Sequence, residues 1–284
     1  AFCAIPLIRG SFRSRAIEDI VTEARDLAES GVREIVLIAQ DSANYGLDRY
    51  KKPMLPSLLR ELAKIEKLAW IRVLYSYPKY FTDELIDVFA TEPKVVKYVD
   101  LPLQHAHNAV LRSMNRPDTR ESVEKLIQKL RERIPGVAIR STFIVGFPGE
   151  TDTHYQTLRA FVEKQRFDKV GIFTYSEEED TPAAAMPKKV SEEVMQERYH
   201  DLMSLQSKIS EEINIGLEGH ETDVLIEGRD TEQQSIAVGR SYREAPEVDG
   251  QIYIEGDTES RVGEIVRVRL LHGFTYDIVG ERVK

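Results

Sequence analysis

Cysteine is almost missing from this chain: 284 residues contain one, Cys3. A single thiol excludes any intrachain disulfide and, with it, the disulfide-stapled class of small secreted domains. Long apolar runs are absent as well. No stretch approaches the length that spans a bilayer and no apolar leader opens the sequence, so the expected compartment is the cytoplasm and no membrane partner is expected. Positive charge is in deficit. With 39 Lys plus Arg against 48 Asp plus Glu the net charge is -9, which argues against a generic nucleic-acid binder, because nonspecific phosphate binding needs a basic excess. The deficit is uneven: Leu217 to Lys284 carries 15 acidic against 8 basic residues, a balance of -7, leaving -2 for everything before Leu217. An acidic tail serves solubility and also suits a basic partner.

What is present is enough to fold. The 42% of hydrophobic residues can supply cores for one large domain and one small one. Ala16 to Ser30 has apolar residues at helical spacing and stops at Gly31, and Glu34 to Ala39 is a short β-branched run that reads as a buried strand. The couplet recurs. Helices are expected at Leu55 to Lys67, Asp83 to Thr91 (capped by Thr82), Asn108 to Met114, Glu121 to Arg133, Glu150 to Gln165 and Ser191 to Ile215. Strands are expected at Trp70 to Tyr75, Val95 to Leu101, Val137 to Val145 and Lys169 to Tyr175. This alternation implies a parallel sheet with right-handed crossovers, in either an open doubly wound sheet or a partial barrel. The chain opens on a loop leading into a helix, so a sixth strand is expected upstream of Ala1. Beyond about Gly216 five short strands separated by turn residues predict a small antiparallel β-barrel.

Polar residues cluster where these strands end, the edge at which α/β proteins place their chemistry. Gln40-Asp41-Ser42 follows one strand, Gln104-His105-Ala106-His107 another, and Phe143-Ile144-Val145-Gly146-Phe147-Pro148-Gly149-Glu150-Thr151 joins a strand to a helix. Glycine there allows a ligand to approach the backbone closely, and the alternative is an ordinary strand-turn-helix corner. The two histidines read more readily as hydrogen-bonding residues than as a metal pair. Glu177 to Asp180 is an acidic run at the end of the last of these strands, either a solvated loop or a substrate contact. Cys3 is an incidental thiol or one ligand of a soft-metal site, since an iron-sulfur cluster takes several thiolates.

Together, Phe2-Cys3-Ala4-Ile5-Pro6 with Arg9-Gly10 and Ser14-Arg15, Gln40-Asp41, Leu101-Pro102-Leu103-Gln104-His105, Met114-Asn115-Arg116, Phe147-Pro148-Gly149-Glu150-Thr151 and Tyr175-Ser176 resemble the radical S-adenosylmethionine (SAM) superfamily and, within it, the methylthiotransferases. Phe2-Cys3 looks like the last two positions of the superfamily's three-cysteine motif, whose other two cysteines are expected upstream of Ala1. The resemblance implies a six-strand partial βα (TIM-like) barrel over residues 1–216, with its first strand upstream, and a TRAM-type β-barrel over 217–284 for substrate recognition. It implies a four-iron, four-sulfur cluster and SAM as cofactors. A second cluster is held by an N-terminal domain of the full-length family.

The resemblance also implies roles. Cys3 is a cluster ligand; Phe2, Gln40, Gln104, Thr142, Gly146 and Tyr175 are expected to hold SAM. Arg9 and Arg15 either neutralise the cofactors or form structural salt bridges. Gly239 to Gly250 and the acidic tail resemble the branch that methylthiolates the β-carbon of an aspartate in the twelfth protein of the small ribosomal subunit, with an electron-donor protein as second partner. The sister branch modifies adenosine in tRNA, an unlikely partner for a barrel of charge -7. A third reading has this chain, with its one thiolate, as an inactive binding scaffold.

Overall fold

Short β-branched runs between amphipathic helices build the first part of the chain, as described by a computed structural model for residues 1–283. Its elements are α1 (Ile5–Arg9), α2 (Ile17–Glu29), β1 (Glu34–Leu37), α3 (Leu47–Tyr50), α4 (Leu55–Ala63), β2 (Trp70–Val73), α5 (Asp83–Thr91), β3 (Tyr98–Gln104), α6 (Asn108–Ser113), α7 (Arg120–Arg133), β4 (Ala138–Val145), α8 (Asp152–Gln165), β5 (Lys169–Thr174) and α9 (Glu192–Ile215). All pairings among β1 to β5 are parallel. They form two ladders, β1-β2 and β3-β4-β5, joined by a bridge between Ile71 and Val95. The result is the expected partial βα barrel. Along its open edge β1 has no second partner strand among the described residues.

The strands carry two faces. Val99, Leu101 and Leu103 of β3 and Ile139, Phe143 and Val145 of β4 point outward into the helices and belong to the main core. There Phe167 is fully buried, its ring centroid 5.7 Å from Phe143 and 5.9 Å from Phe161. Tyr98 and Asp100 of β3, Arg140 and Thr142 of β4, and Lys169 and Gly171 of β5 share the inner face, since Asp100 pairs with Arg140, Arg140 with Lys169 and Thr142 with Gly171.

The remaining strands, β6 (Glu221–Arg229), β7 (Ala237–Arg240), β8 (Ile252–Glu255), β9 (Ile265–Gly273) and β10 (Ile278–Arg282), close into a barrel around Val224, Ile226, Ile252, Ile254 and Val268. It is not wholly antiparallel, as the sequence led us to expect. β10 runs parallel to β8, because β9 has crossed to the far side of β6 and the chain must return between β9 and β8 to close the cylinder. The segment Ser241 to Asp249, between β7 and β8, leaves the small barrel and fills the base of the large one. Arg72 on β2 is buried there and donates to the Ser241 (3.4 Å) and Tyr242 (2.9 Å) carbonyls.

Two further expectations are corrected. The stretch after Cys3 is not all loop: Pro6 in the first turn permits the five-residue α1, which is exposed and too short to show a periodic apolar face. The third strand runs Tyr98–Gln104 rather than 95–101, since Val95 makes only the isolated bridge and the ladder to β4 begins at Tyr98. Thr82 does cap α5, accepting from the Leu85 N-H at 3.2 Å. No helix among the described residues is long and apolar enough to cross a membrane.

Truncating Phe167 to Ala is expected to lower the unfolding free energy by about 3–5 kcal/mol, read as a shifted urea midpoint. A pH effect arises at α6, whose first N-H groups are capped by His107: its Nδ1 accepts from Ala109 N at 3.2 Å. Burial, assisted by His154, His105, Arg112 and Arg120, holds this imidazole below the ordinary histidine value. The unfolded chain therefore takes the proton first, so this stabilisation is present above a pH of about 6.5 and is lost as pH falls toward the folded value. His107→Asn, which keeps a capping acceptor, should flatten the melting temperature as a function of pH below about 6.5.

Candidate active site

The C-terminal ends of the parallel strands converge on one edge, and the start of the chain lies across it. Ala1 N donates to the Met114 carbonyl at 3.3 Å, and the Ala1 carbonyl accepts from Ala183 N at 3.0 Å. Phe2 and Cys3 are thereby held between the β3-α6 side and the segment after β5. The Phe2 ring meets Phe147 edge-on with centroids 6.2 Å apart, and Phe147 meets Tyr175 at 5.4 Å. Met114, Ala183 and Met186 complete this apolar cluster. Cys3 itself is exposed.

Tyr175 carries an oddity. Its hydroxyl oxygen is buried without a hydrogen-bond partner among the described residues, and burial, with Glu177 adding to it, pushes its pKa up. An orphaned hydroxyl costs roughly 1–3 kcal/mol, so a ligand group that accepts from it would recover that penalty. An aromatic wall with one polar tip fits a flat heterocycle such as the SAM adenine. The exposed thiol of Cys3 on the same edge fits one iron of a cluster. Among the described residues no group of three or more His, Cys, Asp and Glu side chains could hold a metal, so the remaining cluster ligands are not among these side chains.

The other candidates divide. Gln104 ends β3 in a left-handed conformation (φ 71°), a strained backbone for a non-glycine residue. Its side chain makes only a 3.5 Å contact to the Pro102 carbonyl. Thr142, on the inner face of β4, accepts from Arg140 Nη1 at 3.4 Å. Gln40 lies in the exposed turn after β1, apart from the aromatic cluster. Arg15 pairs with Glu23 at 2.5 Å on the surface, the salt-bridge alternative, while Arg9 ends the exposed α1.

Gly146 also serves packing. It adopts φ 78°, and a β-carbon on it would sit 2.1 Å from Met195 Cγ of α9. Its missing side chain lets a helix pack. Its N-H donates to Glu150 Oε1 at 3.1 Å, part of a hub that sequence reasoning missed. Glu150 is buried and accepts from Arg198 Nη1 of α9 at 2.6 Å. Its Oε2 lies 3.1 Å from His105 Nε2. His105 Nδ1 accepts the His107 N-H at 2.9 Å, so the proton of the neutral ring is on Nε2 and points at the carboxylate. His107 stacks on His154 with centroids 4.1 Å apart. Glu150 belongs to the strand-to-helix block after β4, but its cation arrives from α9 and no local pattern announces it.

Deeper inside the large barrel lies a second polar group. Asp100 Oδ1 accepts from Arg140 Nη1 at 3.2 Å and Oδ2 from Tyr75 N at 2.9 Å. Asp249, from the segment that plugs the base, accepts from Tyr98 Oη at 2.6 Å and Ala245 N at 2.9 Å. Arg140 Nε stands 3.8 Å from its other oxygen. Burial pushes the Asp100 carboxyl up, with Arg140 opposing.

The comparisons with known proteins agree with this architecture. The profile of the Radical SAM superfamily matches residues 1–162, and that of the TRAM domain matches residues 219–283. The ribosomal protein uS12 methylthiotransferase RimO of Desulforamulus reducens is 50% identical over 281 residues, 99% of this chain and 63% of that protein. RimO of Caldanaerobacter subterraneus subsp. tengcongensis is 48% identical over 281 residues, 99% of this chain and 64% of that protein. The chain thus spans under two thirds of the length of these relatives. Among solved structures, methylornithine synthase (PylB) aligns with a TM-score of 0.49 and 15% identity over 72% of this chain and 58% of that one, too loosely to carry residue roles across. With one superfamily profile covering more than half of its residues and a TRAM profile covering its barrel, this chain belongs to the radical SAM superfamily.

Proposed function

We propose that this chain is the radical SAM core, residues 1–216, and the TRAM-type recognition barrel, residues 217–284, of a methylthiotransferase that modifies the β-carbon of an aspartate in the small-subunit ribosomal protein uS12. The observation that carries the reading is the near 50% identity to RimO proteins over 99% of the chain, through core and barrel alike. A bound, reduced four-iron, four-sulfur cluster supplies the single electron that cleaves SAM and so the radical needed to take hydrogen from an unactivated carbon. The chain's own residues bind and orient. Cys3 offers a thiolate to one iron, Phe2 and Tyr175 flank the adenine, and Tyr175 Oη finds its missing partner there. Gln104, Gln40 and Thr142 offer side-chain polar groups to SAM. Gly146, its N-H already given to Glu150, offers its carbonyl.

The charge of the barrel supports the choice of substrate. Its basic side chains are largely spoken for: Arg267 lies 3.1 Å from Asp223, Arg269 3.1 Å from Glu221, and Arg240 2.6 Å from Glu227. The surplus of acids is therefore what an approaching partner meets. That surface attracts a basic ribosomal protein and repels tRNA phosphates.

In the full-length protein, reconstituted anaerobically with iron and sulfide, Cys3→Ala is expected to abolish 5'-deoxyadenosine formation and lower bound iron; undiminished SAM cleavage in the variant sinks the role of Cys3. Binding of uS12 and of tRNA, each measured across a salt series, tests the substrate. The expected result is uS12 binding well above tRNA binding at every salt concentration, and tight tRNA binding that collapses between about 50 and 200 mM salt would move the chain to the tRNA-modifying branch.

A further inference from the structure

The inside of the large barrel holds the cations Arg72, Arg140 and Lys169, the last 3.9 Å from Glu244, and Arg240 reaches in from β7. Arg72 gives Nε to Glu34 (2.7 Å) and both amino groups to the Ser241 and Tyr242 carbonyls. Arg240 gives Nε and Nη2 to Glu227, Nη2 to Glu34 and Nη1 to the Glu244 carbonyl. Arg140 differs. Its Nη1 serves Asp100 and Thr142 and its Nε faces Asp249, yet Nη2 has no hydrogen-bond partner among the described residues. Solvent still reaches 15% of this side chain.

Gly171 is what leaves Nη2 uncovered. It pairs with Thr142 on the inner face, and a β-carbon built on it would lie 3.5 Å from Arg140 Nη2, 3.4 Å from Phe173 Cε2 and 3.7 Å from Thr142 Oγ1. Its backbone is not left-handed, so conformation does not demand a glycine here. Phe173, two positions on, is an aromatic side chain left 57% exposed. The interior therefore presents a free guanidinium edge, a gap where a side chain is missing and an exposed ring, all next to Thr142. Neither nearby carboxylate bonds that edge: Asp100 accepts from Arg140 Nη1 and Tyr75 N, and Asp249 accepts from Tyr98 and Ala245 on Oδ2 while its Oδ1 faces Arg140 Nε at 3.8 Å.

We propose that Arg140 is the specificity-determining residue that recognises a carboxylate on the substrate, its Nη2 donating a charge-assisted hydrogen bond to the side chain of the target aspartate through the gap above Gly171. This rests on the reading of the target as an aspartate. Guanidinium is suited to the task, since it stays charged and presents donors in a fixed plane that match a carboxylate. The fixed partners of Arg140 give it a set position, so the aspartate would be oriented as well as attracted. Because Asp249 comes from the plug of the small barrel, the recognition residue is braced by both domains.

The test uses the full-length protein and fluorescence anisotropy with two labelled uS12 peptides, one carrying the target aspartate and one with asparagine in its place. The native protein is expected to favour the aspartate peptide by about tenfold or more, the worth of one charge-assisted bond. Arg140→Gln should bring that ratio close to one. Because Arg140→Gln strips Asp100 and Asp249 of their cation and can unfold the base, Gly171→Val serves as the second variant: it keeps the ion network, places methyl groups over Nη2 and should lower the same ratio. If both variants fold and still discriminate as the native protein does, the proposal is overturned. Equal binding of the two peptides by the native protein overturns it too while leaving the methylthiotransferase reading in place, whereas native protein that binds neither peptide removes that reading and this inference with it.

Discussion

A buried arginine cannot be left unpaired, and the architecture turns on that constraint. Arg72 lies fully inside on β2, and isolating such a charge from water without partners costs several kcal/mol. Its partners come from three places: Glu34 on the neighbouring strand, the Ser241 and Tyr242 carbonyls of the plug, and the face of Tyr98, with the guanidinium 4.7 Å from the ring centroid. Arg240 repeats the arrangement from the other side, reaching Glu34 at 2.6 Å. Arg243 reaches Asp168. The two barrels are therefore joined by hydrogen-bonded ion pairs, whose directions fix orientation in a way that an apolar contact does not.

The consequence for chemistry is division of labour along one axis. The base of the large barrel is closed by the plug and its ions, and the opposite edge carries Cys3, Phe2, Tyr175 and Gln104. α9 ties the two ends together: Arg198 holds Glu150 near its start, and Asn214 near its end donates to the Phe274 carbonyl of the small barrel at 2.7 Å. The small barrel is thereby connected to the corner that positions Gly146 and His105 by one continuous helix and two buried polar anchors.

Much of this was legible in the sequence. Apolar spacing placed the major helices and strands to within a few residues, Thr82 announced its own cap, and the shift to short strands marked the small barrel. The site was legible as an edge: residues that follow strands collect at one end whatever their side chains do. The reading failed where the reason for a residue lies far along the chain. Gly146 reads equally as a ligand site or an ordinary corner, and only the fold shows that the space of its missing side chain is filled by Met195 of α9. Arg72 and Arg140 sit inside β-branched runs that read simply as buried strands, and nothing local shows that the plug between β7 and β8 supplies their partners. Glu150 looked like a helix start and is a buried hub. The parallel β8-β10 pair was invisible because strand direction follows from closure of the cylinder.

Helix, strand, cap and turn are set by interactions between residues a few positions apart, and those were written in the order of residues. So was the presence of a lone, aromatic-flanked cysteine and an acidic C-terminal region. Which charges are buried, which of them remain free to bind, and that the small barrel completes the base of the large one were decided only by the tertiary structure. The physical reason is that burial and pairing are properties of a closed surface: a guanidinium becomes costly, satisfied or available only once segments distant in sequence have shut water out around it.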